Sequence, residues 1–220
     1  MQRSRVFSVL DTAELNSAFI PSEANQVFYE AFDKTGDKQI VRMWLQFSST
    51  QQELEQKQTG LKTAVENTAQ KIAEEELQDE EEMYGAVFNA VLQATVYDEQ
   101  LAYFTVNQRL GAEDHINRSA YGALVKGGTI CNGYVRAFSA LCNALDLPCW
   151  AVSGTVEGVR HSWNMVEIDG ARLYVDCTRE DTAPYGTVGK TYFLFDEKAM
   201  QSMGYVLDDS FLIPASIQSV

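Results

Sequence analysis

A helical pattern of hydrophobic positions begins at Cys131, just after the glycine pair Gly127-Gly128. The pattern stops at Leu147-Pro148, because the residue before a proline is biased away from helical backbone, and the glycine pair permits a tight turn ahead of it. The pattern predicts a buried helix from Cys131 to about Leu145, with the thiol at its first position. Its apolar side chains recur at the spacing of one helix face, namely Tyr134, Phe138, Leu141, Cys142 and Leu145.

A strand pattern with a period of two follows in HSWNMVEIDGARLYVDCT, which spans residues 161–178. At its centre, Asp169-Gly170 suits a two-residue type I′ turn between antiparallel strands. In that register Glu167 lies opposite Arg172, and apolar residues oppose each other, which supports the pairing. The alternation places His161 and Asp176 on one face, as diagonal neighbours on the two strands. The segment therefore predicts a hairpin that brings an imidazole and a carboxylate together.

The first half of the chain predicts helices and strands without visible chemistry. Residues 1–50 indicate one or two strands, with VRMWLQF as one of them, and a helix around EANQVFYEAF. From residue 51 the composition is typical of a solvent-facing helix, and a break is expected near Gly60. A second helix should start at Asp79, with Glu82 completing a capping box. Capping accounts for the acidic stretch EEELQDEEE without a metal ion.

Composition and charge narrow the class of protein. A chain of 220 residues with 45% hydrophobic residues can bury a proper core, and a formal charge of -14 argues against a nucleic-acid partner. The sequence shows neither an apolar run long enough for a membrane span nor the apolar core of a signal peptide. Four cysteines are too few for a disulfide scaffold. Two of them, Cys142 and Cys149, fall on apolar positions and are assigned to the core.

Cys131 is the candidate nucleophile because of its position at a helix N-terminus. There the positive end of the helix dipole favours the thiolate, which is the form that attacks carbonyl carbon. A nucleophilic thiol needs a base, and the chain has two histidines. His115 lies in a polar loop and is interpreted as a surface residue, whereas His161 has Asp176 as a neighbour that could orient it. Geometry alone leaves open whether the hairpin faces Cys131.

Three motifs in order resemble the transglutaminase-like superfamily of papain-fold cysteine enzymes: GALVKGGTICNGYVRAFSALCNALDLPCWAVSG, HSWNMVEIDGARLYVDCT and YFLFDE. The family pattern is a glycine-rich approach to Cys-x-Gly-Tyr, then His-x-Trp-Asn, then an Asp closing a strand. The resemblance runs from about Val87 to Phe195 and implies an α+β fold, with helices packed on an antiparallel sheet. It implies a domain over residues 51–220, preceded by an extension over residues 1–50. Arg179 departs from the pattern, because many members have Trp there.

By this resemblance Cys131 matches the family's nucleophile, His161 its general base and acid, and Asp176 its orienting carboxylate, with no cofactor. The implied chemistry is acyl transfer on a protein or peptide substrate through a thioester. Water as acceptor gives a protease or amidase, and an amine gives a transamidase. The backbone N–H of Cys131 would bind the oxyanion. Tyr121 is a candidate for the second hydrogen-bond donor to the oxyanion; alternatively, its ring packs against the helix. Trp163 is expected either to line the cleft beside the triad or to pack in the core.

Two other classes of protein remain as alternatives to a cysteine enzyme: a non-catalytic domain and a metal-binding protein. A non-catalytic protein-binding or structural domain on the same fold would typically lose one triad residue, and all three are present. A zinc site is disfavoured because no Cys-x-x-Cys or His-x-x-x-His spacing occurs. Asn164 projects to the opposite face of the hairpin and is interpreted as a structural hydrogen-bonding residue. Because such domains in bacteria often sit at the cell envelope, the resemblance favours a secreted or cell-surface location over a cytoplasmic one.

Overall fold

The computed structural model describes residues 24–35, 38–47, 49–109, 112–184 and 190–208. A two-stranded hairpin, helices and two two-residue strands precede a four-stranded antiparallel sheet, which makes the fold α+β. The elements in chain order are β1 (Ala24–Thr35), β2 (Lys38–Phe47), α1 (Gln51–Ala73), α2 (Glu80–Ala94), β3 (Val96–Tyr97), α3 (Glu99–Val106), α4 (Ala112–Asn117), a short π-helix (Gly122–Lys126), β4 (Gly128–Thr129), α5 (Cys131–Ala144), β5 (Cys149–Val156), β6 (Val159–Ile168), β7 (Ala171–Val175), α6 (Cys177–Asp181), α7 (Glu197–Ser202) and β8 (Tyr205–Leu207).

β1 and β2 form an antiparallel hairpin in which Thr35 pairs with Lys38 and Val27 with Leu45. The strand expected in VRMWLQF is confirmed, but the helix expected around EANQVFYEAF is wrong, because that segment lies in β1 from Ala24 onward. Its sequence includes Val-Phe-Tyr, residue types that favour extended backbone, and β2 supplies a hydrogen-bonding partner along the segment. Residues 1–23 lie outside the described part of the chain.

α1 runs without interruption from Gln51 to Ala73, so the break expected near Gly60 is wrong. A glycine inside a helix costs only about 1 kcal/mol relative to alanine, and a capping box between Thr50 and Glu53 stabilises the start. The ring of Tyr121 lies 3.5 Å from the position that a Cβ of Gly60 would occupy. A Cβ there would make ordinary van der Waals contact, so the ring of Tyr121 packs on this part of α1.

α2 begins at its predicted N-cap, where the Asp79 side chain accepts a hydrogen bond from the Glu82 backbone N–H at 2.9 Å. The reciprocal bond differs from the expected capping box, because the Glu82 carboxylate accepts from the backbone N–H of Gln78, at 2.7 Å. Farther along, the Tyr84 hydroxyl donates to the carbonyl oxygen of Pro148 at 2.6 Å. This bond ties α2 to the chain just before the sheet.

The four-stranded sheet has the order β7-β6-β5-β8. The predicted hairpin is confirmed, with Glu167 opposite Arg172, and both turn residues have the positive φ of a type I′ turn, 52° at Asp169 and 77° at Gly170. The helix predicted from Cys131 to about Leu145 is confirmed as well, and it ends at Ala144. The two elements on which the candidate chemistry depends thus form where the sequence places them.

The two faces of the sheet belong to different hydrophobic clusters. Even-numbered positions of β6, such as Val166, face the cluster that includes α2 and α5, whereas odd-numbered positions, such as Trp163 and Met165, face a smaller one. The larger cluster contains Ile72, Tyr84, Val87, Phe88, Val91, Ala123, Tyr134, Ala137, Phe138, Leu141, Cys142, Leu147, Val166, Val175 and Cys177. The smaller contains Val152, Val156, Trp163, Met165, Tyr174, Phe195, Met200 and Tyr205.

Gly154 allows β8 to approach β5, because a Cβ at this position would overlap the carbonyl oxygen of Val206. We expect Gly154→Ala to lower the free energy of unfolding by about 1–3 kcal/mol, since the backbone of β8 would have to shift. Gly128→Ala is the matched control: its Cβ meets nothing within 4 Å, and the change should stay within about 1 kcal/mol. Urea unfolding of both variants measures the difference. Equal stabilities would contradict the close approach.

Candidate active site

Cys131 and His161 line one cleft with a volume of about 590 Å³. Its walls come from β3, α3, the first residues of α5, and the strands β5 and β6. Cys131 is half-buried, and His161 has only 12% of its side chain exposed. Two residues that are thirty positions apart in the chain are therefore brought to the same surface depression.

α5 presents the Cys131 side chain at its first position. The residue before it, Ile130, has extended backbone and makes no side-chain cap, and the first turn contains no acidic residue. The first N–H groups of a helix have no partner within the helix, so the positive end of the α5 dipole lies at this thiol. The Cys131 Sγ atom lies 3.3 Å from the side-chain oxygen of Asn132.

Gly133, in the Cys-x-Gly-Tyr motif, is required by close packing. A Cβ at Gly133 would overlap the side chain of Thr129 in β4, whose hydroxyl donates to the carbonyl oxygen of Asn117 at 2.5 Å. The tyrosine of the motif, Tyr134, donates its hydroxyl to Asp181 at 2.6 Å. The motif therefore holds the start of α5 against β4 on one side and α6 on the other.

The predicted neighbours His161 and Asp176 are joined by a hydrogen bond. The Nε2 atom of His161 lies 2.6 Å from Oδ2 of Asp176, and Asp176 is 1% exposed. The other carboxylate oxygen, Oδ1, accepts from the backbone N–H of Arg179 at 3.0 Å and caps α6. With Nε2 engaged, Nδ1 is the ring nitrogen left for the cleft.

The environment of His161 favours its charged form. Burial lowers the pKa of the imidazole, but the charge of Asp176 and the hydrogen bond to it raise that pKa, with a further contribution from a hydrogen bond to Cys131. The result is a pKa of about 10. The ring therefore carries its proton at neutral pH and loses it as the pH rises through about 10.

Tyr205 is a site residue that the sequence analysis missed. Its buried hydroxyl donates to Oδ2 of Asp176 at 2.8 Å, so this oxygen accepts from both Tyr205 and His161. Tyr205 lies in β8, and the pairing of Tyr205 with Val156 brings it to the site. A three-residue strand gives no signal of its partner strand, and for this reason the sequence did not reveal it.

Trp163 packs in the smaller cluster with its ring beside His161. The ring centroids of His161 and Trp163 are 6.0 Å apart and their planes differ by 18°. The rings of Trp163 and Tyr205 meet edge to face, with their centroids 5.0 Å apart. Tyr121, the other aromatic candidate, lies against α1 with Leu61 and Ala120 and is not among the residues that line the cleft. This placement favours the packing role for the Tyr121 ring.

Asn164 lies on the opposite face of β6 from His161, as predicted. Its side-chain nitrogen donates to the carbonyl oxygen of Val135 at 3.2 Å and to the Ser139 hydroxyl at 2.9 Å. It therefore connects β6 to the middle of α5. The asparagine of the His-x-Trp-Asn motif thus ties together the helix and the sheet that carry the candidate site.

The remaining cysteines and the second histidine lie apart from the cleft lining. Cys142 and Cys177 are buried, and burial raises the pKa of both thiols. Cys149, expected in the core, is half-buried at the start of β5. The surface loop expected at His115 is wrong, because this residue lies half-buried in α4. Among the residues that the structure describes, Cys131 therefore supplies the thiol of the cleft and His161 supplies its imidazole.

Arg179, at the position where many relatives have Trp, packs beside the candidate site. Its guanidinium lies 5.3 Å from the ring centroid of Tyr192 and 3.6 Å from a carboxylate oxygen of Glu157. Within the described part of the chain, no three His, Cys, Asp or Glu side chains are placed to hold a metal ion. No helix in the same part is long and apolar enough to cross a membrane.

Comparison with known proteins identifies the family. Residues 66–177, just over half of the chain, match the model of the transglutaminase-like superfamily. The chain therefore belongs to the transglutaminase-like superfamily, whose members generally carry out cysteine-dependent acyl transfer. The matched range includes Cys131, His161 and Asp176, and it begins upstream of the expected start at Val87.

A solved structure described as "Crystal structure of a TGase" matches with 21% identity and a TM-score of 0.45. The alignment covers 72% of this chain and 38% of the other, so the chain spans about two fifths of the length of that solved protein. No curated protein matches the chain.

Loss of the Tyr205 hydroxyl should destabilise the protein, because it leaves a buried carboxylate with one donor fewer. We expect Tyr205→Phe to lower the free energy of unfolding by about 1.5–3 kcal/mol, the usual range for a hydrogen bond to a charged group. Tyr103→Phe is the control, since Tyr103 is 54% exposed. Urea unfolding at pH 7 distinguishes the two. A Tyr205→Phe protein as stable as the control would show that this bond contributes nothing.

Proposed function

We propose that the protein is a cysteine-dependent acyl-transfer enzyme acting on peptide or amide substrates, with Cys131, His161 and Asp176 as its catalytic triad. The observation that carries the proposal is the 2.6 Å bond between His161 and the buried Asp176, at a cleft that Cys131 also lines. A thiol, an imidazole and an orienting carboxylate in that order are the recurrent parts of nucleophilic acyl transfer.

The first half of the proposed reaction forms a thioester. The Cys131 thiolate attacks the carbonyl carbon of an amide, and the developing oxyanion is bound by the backbone N–H of Cys131 at the start of α5. The carbon–nitrogen bond then breaks, and His161 gives its Nδ1 proton to the departing amine. The raised pKa of His161 supports this role, because the ring holds a proton at neutral pH.

The second half of the proposed reaction restores the thiolate. His161, now neutral, accepts a proton from the acceptor, and the acceptor attacks the thioester carbon while the carbon–sulfur bond breaks. Water as acceptor gives hydrolysis, and an amine gives a transamidated product. Asp176 keeps Nε2 as the nitrogen on its own side throughout, so that Nδ1 exchanges protons with the reacting groups.

Covalent labelling tests the nucleophile directly. We expect iodoacetamide near neutral pH to modify Cys131 faster than the half-buried Cys149, and 4-nitrophenyl acetate to leave an acetyl group on Cys131 with one burst equivalent of nitrophenol. Cys131→Ser should lose both signals while its free energy of unfolding stays within about 1–2 kcal/mol of the parent protein. Peptide mapping by mass spectrometry locates the labels.

Cys149→Ser is the matched control for that experiment, and it should keep both the label and the burst. If Cys131 reacts no faster than Cys149, or if the burst survives in Cys131→Ser, the protein does not use this thiol as a nucleophile. The non-catalytic binding domain would then be the better description of the fold.

The titration of His161 tests the role of Asp176. In the parent protein we expect the ring resonances of His161 to titrate near pH 10. In Asp176→Asn the attraction of the carboxylate for the imidazolium is gone, so the midpoint should move to lower pH. The alkylation rate of Cys131 at neutral pH should fall as well, because the imidazolium that stabilises the thiolate is less populated.

NMR is suited to this measurement because the chain has two histidines, and His115→Gln assigns the remaining signal to His161. Asn at position 176 retains an oxygen that can cap α6. The variant therefore removes the charge of Asp176 without removing the helix cap. A midpoint and an alkylation rate that are both unchanged in Asp176→Asn would show that the carboxylate is not coupled to the pair.

A further inference from the structure

The charged residues of the cleft differ in sign from the protein as a whole. The chain has 31 acidic and 17 basic residues, yet among the described residues that line the cleft there are two arginines, Arg118 and Arg160, and no Asp or Glu. The thiolate and imidazolium proposed for Cys131 and His161 balance each other in charge. The arginines are therefore the remaining charged groups of the lining, while Asp176 and Asp208, the carboxylates that pair with His161 and Arg160, do not line the cleft.

Arg118 has an unsatisfied hydrogen-bond donor. Its Nε atom is buried and has no hydrogen-bond partner among the described residues. Its backbone carbonyl accepts from the Nη1 atom of the buried Arg136 at 3.1 Å, which holds the main chain of Arg118 in place. A buried N–H without an acceptor costs free energy, and the four N–H groups on Nη1 and Nη2 of the guanidinium are the donors that remain for a ligand in the cleft.

Arg160 belongs to a different wall of the cleft and is partly neutralised. It precedes His161 in β6, its side chain is 69% exposed, and its Nη1 atom lies 3.0 Å from the carboxylate of Asp208. A guanidinium has five N–H donors, so one ion pair leaves donors for a second anion. Its contribution to anion binding should be smaller than that of Arg118, because solvent and Asp208 both screen its charge.

We propose that the acyl donor of this enzyme carries a carboxylate close to the scissile amide, as an acidic peptide does, and that Arg118 and Arg160 bind it. This inference rests on the proposed function, since it assigns a substrate class to the same cleft. Guanidinium groups bind carboxylates through charge-assisted hydrogen bonds. Both arginines line the cleft that Cys131 lines, Arg118 in the turn after α4 and Arg160 in β6, so a donor seated at Cys131 would meet one or both.

A pair of alkylating reagents that differ in charge tests the proposal. Iodoacetate carries a carboxylate and iodoacetamide is its neutral counterpart, so the ratio of their rates at Cys131 reports the preference for an anion. We expect Arg118→Gln to lower this ratio about three- to tenfold and Arg160→Gln to lower it about two- to threefold, the order expected for the loss of one partly screened charge from the same cleft. Arg118→Lys, which keeps the charge, should retain most of the ratio.

Arg172→Gln is the matched control, because Arg172 lies opposite Glu167 in the β6–β7 hairpin and does not line the cleft; its ratio should equal that of the parent protein. Raising the salt concentration should lower the ratio of the parent protein itself, which tests the charge effect without a mutation. Circular dichroism verifies that each variant is folded. The imidazolium of His161 acts on all these proteins equally, so it cancels in the comparison.

The outcomes separate the two proposals. If neither reagent modifies Cys131 selectively, the proposed function fails. If both modify Cys131 but the ratio is the same in Arg118→Gln, Arg160→Gln and the parent protein, and is independent of salt, the proposed function stands and the carboxylate preference is overturned.

Protection of Cys131 from iodoacetamide identifies which carboxylate is bound. Acetyl-Ala-Ala-Glu-amide carries it on the side chain, acetyl-Ala-Ala-Gln with a free C-terminus carries it on the main chain, and acetyl-Ala-Ala-Gln-amide is the neutral reference. We expect the glutamate peptide or the free-acid peptide to protect at lower concentration than the neutral one. Equal protection by all three would count against the proposal.

Discussion

A buried carboxylate is the constraint on which the candidate site depends. Asp176 is almost fully removed from water, and a charge in that position is tolerated only when it is paired and hydrogen-bonded. Its three donors come from three different elements, since His161 lies in β6, Tyr205 in β8, and the N–H of Arg179 in α6. Satisfying this one group therefore fixes the ring nitrogen that His161 keeps for the cleft, and it holds the last strand of the sheet against the first turn of a helix.

A second polar anchor positions the thiol relative to that carboxylate. Asp181, at the end of α6, accepts from the Tyr134 hydroxyl in α5 at 2.6 Å and from the Tyr97 backbone N–H in β3 at 2.9 Å. Because Asp176 caps the start of the same short helix, α6 links the orienting group of His161 to the helix that carries Cys131. The candidate nucleophile and the candidate base are thus both positioned by α6, which itself supplies no reacting atom in the proposed reaction.

The parts of the site that were predictable from the sequence are those encoded locally. The register of the β6–β7 hairpin follows from one turn and from alternating side chains, and the extent of α5 follows from helical periodicity; both were confirmed. Tyr205 and the lining role of Arg118 depend on pairings between distant segments, for which a short strand and a loop carry no periodic signal. The continuous helix through Gly60 shows the same limit, because the ring that packs there, Tyr121, is sixty-one residues away.

The distribution of charge gives the cleft a local character that the whole molecule lacks. A surface with a formal charge of -14 repels acidic substrates at a distance, so long-range steering would not bring an anionic donor to Cys131. Exposed charges separated by more than about 8–10 Å are largely screened at physiological salt, however, and among the described residues the charged side chains that line the cleft beside Cys131 and His161 are arginines. Selection of a carboxylate would therefore take place after encounter, by short contacts to guanidinium groups. An arrangement of this kind discriminates between acyl donors by the rate at which they dissociate from the cleft. It has little effect on the rate at which they associate with it.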